Sequence, residues 1–235
     1  MNFFNRFIGV IFSPQETFKT LLEKPVWIDA LIVILIAIVL FTHLIMPYTL
    51  KDTAQLMENN VKLKERLGDE GFEQTMERIR NPSKGSLAVR VFALTPLTQV
   101  IGFLIASLIL LVFGRVTATE GKYIQVLSAY IHANLIDKIL GNALRLFLIL
   151  SRKSVFQTST SLALFFPHME VTSLSYAMLS QVDFFQLWLF GVLSFGLSYI
   201  FKIELKKALF ISYGFWLLKS AFNVAIFLVS MSFMG

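Results

Sequence analysis

Residues 27–50 read WIDALIVILIAIVLFTHLIMPYTL, and Asp29 is the one Asp, Glu, Lys or Arg in this apolar stretch. A helix of about twenty apolar residues is long enough to cross the roughly 30 Å hydrocarbon core of a bilayer. The stretch therefore predicts a transmembrane helix. Because no small-residue cleavage site follows it, we expect a signal anchor rather than a cleaved signal peptide.

The whole chain has the composition of an integral membrane protein. Hydrophobic residues make up 56% of its 235 residues and charged residues only 15%, with a mean hydropathy of +0.69. A soluble domain is nearer to half apolar and a quarter charged. The absence of cysteine excludes a thiolate metal site. The apolar runs predict an all-α polytopic membrane protein with five transmembrane helices, at about 27–50, 91–113, 123–150, 184–201 and 208–231.

Residues 1–26 predict amphipathic helices that lie in the membrane interface, ahead of a transmembrane domain formed by residues 27–235. Ser13, Pro14 and Glu16 predict the start of the second helix, with a capping box between Ser13 and Glu16. A plain membrane anchor and a partner-binding groove both remain open for this region. The apolar face of the first helix comprises Phe3, Phe4, Phe7, Ile8, Ile11 and Phe12.

The segment 51–90, between the first two spans, is polar but keeps a helical period. Gly68 and Gly71 interrupt the period and Asn81-Pro82 ends it, so we expect two short helices in an outer loop. The charges of this loop nearly cancel, which argues against binding to a polyanion. No basic soluble domain is present to indicate a nucleic-acid partner.

The basic residues near the span ends predict the orientation of the chain. With the N-terminus in the cytoplasm, most basic residues that flank the spans lie on the inner side, as the positive-inside rule requires. Five spans then place the C-terminus outside. The inner residues are Arg6, Lys19, Lys24, Arg115, Lys122, Lys202, Lys206 and Lys207.

Several short motifs, in their order along the chain, resemble those of bacterial members of the Yip family, the Ypt-interacting-protein-like membrane proteins. The resemblance covers nearly the whole chain. It implies five membrane helices with a cytoplasmic N-terminus, in the bacterial cytoplasmic (inner) membrane. The motifs are FSPQETF at 12–18 followed by Trp27, GKY at 121–123, SLAL at 161–164 before Pro167, the passage 179–188 with Asp183 and Phe184, and KKA at 206–208.

The resemblance also implies a kind of function. Eukaryotic members carry a longer cytosolic N-terminal region with an Asp-Leu-Tyr-Gly-Pro motif, which is absent here, and this disfavours a Rab-type GTPase role. Some bacterial members assist the assembly or function of an ABC-type exporter, and others are known only as membrane proteins or candidate permeases. The family supplies no catalytic residues to place on this sequence.

The residues themselves do not indicate an enzyme. There is no phosphate loop, no Gly-x-Ser-x-Gly nucleophile elbow and no His-Glu-x-x-His pattern. His43, His132 and His168 have no neighbours at metal-ligand spacing, so we expect interfacial or hydrogen-bonded histidines rather than ligands. The sequence therefore predicts no catalytic residues, no metal site and no cofactor.

Polar residues inside the spans are the candidate functional site, because a charge at the bilayer centre costs about 3 kcal/mol or more unless it is paired or hydrated. At 100° per residue, the polar residues of span three fall on one face, and so do those of span five. One hypothesis is an intramembrane polar cleft that attracts an anion. The other is that Asp137, Asp183 and backbone carbonyls neutralise the cations and hold the bundle together. The predicted cleft residues are Asn134, Asp137, Lys138, Asn142, Arg145, Lys219 and Asn223.

Two functions follow as alternatives. The first is an accessory or assembly subunit that associates with other membrane proteins, an ABC-type exporter among them, or with itself. The second is a small transporter or lipid-handling permease whose path runs between spans three and five. Membrane lipids are expected partners in both cases.

Overall fold

The computed structural model describes residues 1–156 and 160–234, and these ranges are mostly helical. The helices, in chain order, are α1 (Phe3–Phe12), α2 (Pro14–Glu23), α3 (Ile28–Glu58), α4 (Val61–Arg80), α5 (Lys84–Ala88), α6 (Thr95–Thr117), α7 (Tyr123–Leu135), α8 (Asn142–Arg152), α9 (Leu174–Gln181), α10 (Phe184–Phe201) and α11 (Leu205–Met234).

Four helical stretches are long and apolar enough to cross a membrane, judged by length and composition. They correspond to the predicted spans one, two, four and five, so the prediction of an all-α, multi-span membrane protein is confirmed. A π-helical turn, Val89–Leu94, joins α5 to α6 within the second stretch. The four stretches are Ile28–Glu58, Lys84–Thr117, Phe184–Phe201 and Leu205–Ser232.

The predicted third span is helical throughout but differs in character from the other four. Helix α7 continues through a π-helical turn, Ile136–Gly141, into α8, which ends at Arg152. Polar side chains lower the hydropathy of this run, and residues 126–137 are all buried. This is the reason that apolar composition identifies four spans where the sequence predicted five.

The chain divides into two compact units, and the first contains residues 1–38, 96–143 and 184–219. In this unit α2 and α7 both pack on α10. A Cβ atom added at Gly196 of α10 would lie 3.0 Å from Phe18 and 3.2 Å from Ala129. The small residue therefore lets two helices approach α10 closely.

Helix α1 belongs to this first unit and packs against α2 and α7. Arg6 and Val10 are buried, whereas Phe4, Ile8 and Phe12 are exposed. The predicted helix is therefore present, and the position of its apolar face in the membrane interface stays a prediction. One edge of that face packs on the protein core and the other remains open.

The junction between α1 and α2 differs from the prediction in one detail. Helix α2 begins at Pro14, as predicted, but the Ser13 side chain makes no capping hydrogen bond. The Ser13 N–H donates to the Gly9 carbonyl at 2.8 Å, and the Ser13 carbonyl accepts from the Thr17 hydroxyl at 3.0 Å. The Ser13 N–H is therefore bonded to α1 and its side chain does not cap α2, so the predicted capping box with Glu16 does not form.

The second unit contains residues 39–95, 144–183 and 220–235. Helix α4 is broken at Gly68, whose φ of 70° favours glycine, and it ends before Asn81. The segment is therefore helical with a break, and its position on the outer side stays a prediction. Phe72 and Met76 of α4 form a small core with Ala54 of α3. At its edge the Arg80 guanidinium donates to the Glu58 carboxylate, and this hydrogen bond raises the pKa of Arg80.

Candidate functional site

The π-helical turn Ile136–Gly141 carries two of the predicted cleft residues, Asp137 and Lys138, in the first unit. The Lys138 Nζ lies 2.9 Å from the Asp137 Oδ2, and the side chains are 23% and 1% exposed. The Asn134 side-chain amide donates to the Tyr130 carbonyl of its own helix at 2.8 Å. Asn142 follows at the start of α8. The Lys138 ammonium is therefore held against a carboxylate.

The polar face of α11 is bonded to α10 in the same unit. The Lys219 Nζ donates to the Gln186 side-chain carbonyl at 2.8 Å and lies 5.8 Å from the centre of the Phe190 ring. The Ser212 hydroxyl donates to the Phe190 carbonyl at 2.6 Å. A cation over an aromatic face is stabilised by the ring quadrupole. These contacts place the polar stripe of span five along span four.

Arg145 forms a hydrogen-bonded cluster in the second unit. Its Nη2 lies 3.0 Å and 3.1 Å from the two carboxylate oxygens of Asp183, and its Nε donates to the Thr160 hydroxyl at 3.2 Å. The Thr160 hydroxyl in turn donates to Asp183 at 2.5 Å. The cluster joins α8 to the residue that precedes α10, so the guanidinium charge is matched by a mostly buried carboxylate.

The seven predicted cleft residues therefore divide between the two compact units. Asn134, Asp137, Lys138, Asn142 and Lys219 belong to the first, and Arg145 and Asn223 to the second. The Asn223 side-chain amide donates to the Gln181 side chain at 3.0 Å. Each of the three cations has an acceptor in its own unit. The arrangement is chemically suited to holding helices together inside hydrocarbon.

A further polar network in the first unit was not predicted from the sequence. The Arg6 Nε donates to the Nε2 of His132 at 3.2 Å, and its guanidinium also bonds the Asp29 carboxylate. The His132 Nδ1 lies 2.8 Å from the Ser128 carbonyl. Because a carbonyl only accepts, Nδ1 carries a proton. Since Nε2 accepts from Arg6 and carries none, the ring is neutral. The sequence does contain a signal for this network, since Arg6 is the one charged residue in segment 1–12 and Asp29 the one in segment 27–50.

The other histidines do not form a cluster with His132. The His43 ring centre lies 6.1 Å from that of Phe92 in the second unit, and His168 is exposed. Within residues 1–156 and 160–234, no three His, Asp or Glu side chains are grouped so that they could hold a metal ion.

Comparison with known proteins adds the family. No curated protein and no solved structure matches the chain. The family model of the Yip1 domain matches residues 8–227, which begin within α1 and end within α11. The match covers both compact units and agrees with the motif order in the sequence, so the chain belongs to the Yip1 family.

Proposed function

We propose that this chain is an accessory membrane protein that associates with other membrane proteins and supports their assembly or activity. An ABC-type exporter is the class of partner that the family resemblance favours. The proposed role includes no catalysis. Any ATP hydrolysis in such an assembly would belong to the partner, because the sequence has no phosphate loop.

The observation that carries this proposal is the exposed apolar surface of three spans. In their most apolar parts, Ile28–Glu58 is 17% buried, Lys84–Thr117 is 22% buried and Leu205–Ser232 is 6% buried, whereas Phe184–Phe201 is 56% buried. Lipid covers such surfaces, and helices of other membrane proteins pack on them where small residues permit close approach. Gly102 in α6 offers such a place, since nothing lies within 4 Å of a Cβ added there.

The paired charges support the same reading. An ionisable group inside hydrocarbon is costly unless it is paired. Lys138, Arg145 and Lys219 each have an acceptor within their own unit. Side chains held in this way favour a role in packing over a role in moving an anion.

The proposed setting is the bacterial cytoplasmic membrane, with the N-terminus in the cytoplasm and the C-terminus outside. The basic residues at the ends of the spans support this orientation through the positive-inside rule.

The test is purification of the tagged protein from its native membrane in a gentle detergent, followed by mass spectrometry of co-purifying proteins. We expect a near-stoichiometric membrane protein. Gly102→Leu should reduce its recovery, because the larger side chain fills the exposed face of α6. Gly85→Leu is the matched control, since a Cβ at Gly85 also meets nothing within 4 Å and Gly85 lies before the predicted span 91–113. A protein that purifies alone under all conditions contradicts the proposal.

A small transporter or lipid-handling permease is the second candidate. The observation in its favour is the π-helical turn Ile136–Gly141, which carries Asp137 and Lys138 within the predicted third span, because π-helical turns in membrane helices often mark functional sites. Lys219→Gln separates the two candidates. Loss of solute or lipid movement in reconstituted vesicles, with partner recovery unchanged, would favour the permease.

A further inference from the structure

Two apolar grooves lie on the surface of the first unit, on either side of the same stretch of α11. One is also lined by Phe113 and Val116 of α6 and has a volume of about 390 Å³. The other is also lined by Leu217 and has a volume of about 430 Å³. Phe210 and Gly214 line both grooves. Nothing lies within 4 Å of a Cβ added at Gly214, so the surface is open at this shared position.

Each groove has a lysine at one end. Lys207 lines the first groove and Lys206 the second, and both are exposed in the first turn of α11. Within the part of the chain that the structure describes, neither ammonium group has a hydrogen-bond or ion-pair partner. The nearby Lys202 differs, because its Nζ lies 3.0 Å from Glu120.

The charge at this end of α11 is unbalanced. The first turn of a helix presents unpaired N–H groups and a partial positive charge, which two lysines increase. Glu204, directly before the helix, supplies one negative charge against them. An excess of positive charge therefore stands at the end of two apolar grooves, in the first turn of a candidate membrane span. Lipid phosphates lie at this boundary of the bilayer, and lysine side chains reach toward them.

We propose that the two grooves hold the acyl chains of one anionic phospholipid from the surrounding bilayer, with its phosphate against Lys206 and Lys207. The paired grooves on either side of Phe210 match the two chains of such a lipid, and the lysines complement its negative headgroup. This lipid site goes beyond the accessory role and does not depend on it.

The test uses purified, delipidated full-length protein and native mass spectrometry. Phosphatidylglycerol and phosphatidylcholine with the same two acyl chains are added, so that the headgroup is the only difference. We expect preferential retention of phosphatidylglycerol. The double variant Lys206→Gln/Lys207→Gln should weaken that retention roughly 25-fold, since one lysine near an anionic lipid is worth about a fivefold change.

Two further variants separate a specific site from general attraction. Lys19→Gln/Lys24→Gln removes the same charge from exposed positions of α2 and its C-terminal end and should retain the lipid as the wild type does. Gly214→Leu should also lower retention roughly tenfold by filling both grooves, since it removes the buried acyl surface that contributes to affinity. Helical folding should be preserved, because leucine favours a helix more than glycine.

Three results would overturn the proposal. They are equal retention of the two lipids by the wild type, equal losses in the two lysine double variants, and wild-type retention by Gly214→Leu. The first would mean that the grooves take acyl chains without regard to the headgroup. The second would mean that lipid retention depends only on the total surface charge. The third would show that the acyl chains lie elsewhere.

Discussion

Removing one partner of the Arg145–Asp183 pair should destabilise the protein strongly. The two side chains are only 18% and 9% exposed, and the guanidinium contacts both carboxylate oxygens. Asp183→Asn keeps the shape and a hydrogen-bond acceptor for the Thr160 hydroxyl but leaves the Arg145 cation without its counter-charge. Breaking a buried pair on one side costs roughly 3–5 kcal/mol. The lower end, about 3 kcal/mol, applies here because Arg145 keeps some exposure.

The assay is thermal unfolding in detergent, followed by far-ultraviolet circular dichroism. For a chain of this size, 1 kcal/mol corresponds to a shift in Tm of about 2–4 °C, so Asp183→Asn should lower Tm by roughly 6–12 °C. Arg145→Met should have a similar effect, because it leaves the carboxylate unmatched. The double variant should lose less than the sum of the two, since no unpaired charge remains.

The control is Lys153→Gln, which removes an exposed cation from the position directly after α8. It should change stability by less than about 0.5 kcal/mol, as most surface substitutions do. The reasoning is refuted if Asp183→Asn behaves like this control, or if the two single effects simply add. Either result would mean that the pair does not hold α8 to the start of α10.

Three other substitutions test the first compact unit. Gly114→Ala should destabilise by roughly 1–3 kcal/mol, because its Cβ would clash with the Phe201 ring, whereas Gly214→Ala, with open space, should be neutral or stabilising in the same thermal assay. Arg6→Gln should cost roughly 1–2 kcal/mol and make α1 more accessible to protease, since it weakens the bonds to His132 and Asp29; unchanged proteolysis would contradict that role.

The spans could be predicted from the sequence because a long apolar run has one stable solution in lipid, the helix. The third span illustrates the limit of that argument. Asp137 and Lys138 lie within 126–138, a stretch that is almost entirely buried, so polar residues are tolerated there and the hydropathy falls. Helix α1 illustrates another limit, because an amphipathic face fits a membrane surface or a protein core equally well. The packing of α1 on α7 shows that one edge of this face meets the protein core.

The candidate site was predictable in its residues but not in its pairings. Lys138, Arg145 and Lys219 are charged residues inside apolar runs, and this alone marks them as candidate site residues. The partner of Lys138 is its neighbour in the chain, and the sequence does indicate it. Arg145 and Asp183 are 38 positions apart, and Lys219 and Gln186 are 33 apart. Contacts between residues so far apart in the chain depend on how the helices pack, and helix packing is not predictable from one sequence.

The polar stripe of α11 also explains why its other face is open to lipid. Ser212 and Lys219 bond to α10, and seven residues apart they lie on nearly the same side of a helix. Phe210 and Leu217 each lie two residues before one of them, about 200° around the helix at 100° per residue. These hydrogen bonds therefore turn Phe210 and Leu217 outward, where both are exposed. The hydrogen bonds of the polar stripe thus fix the rotation of α11. That rotation forms the two grooves beside Gly214.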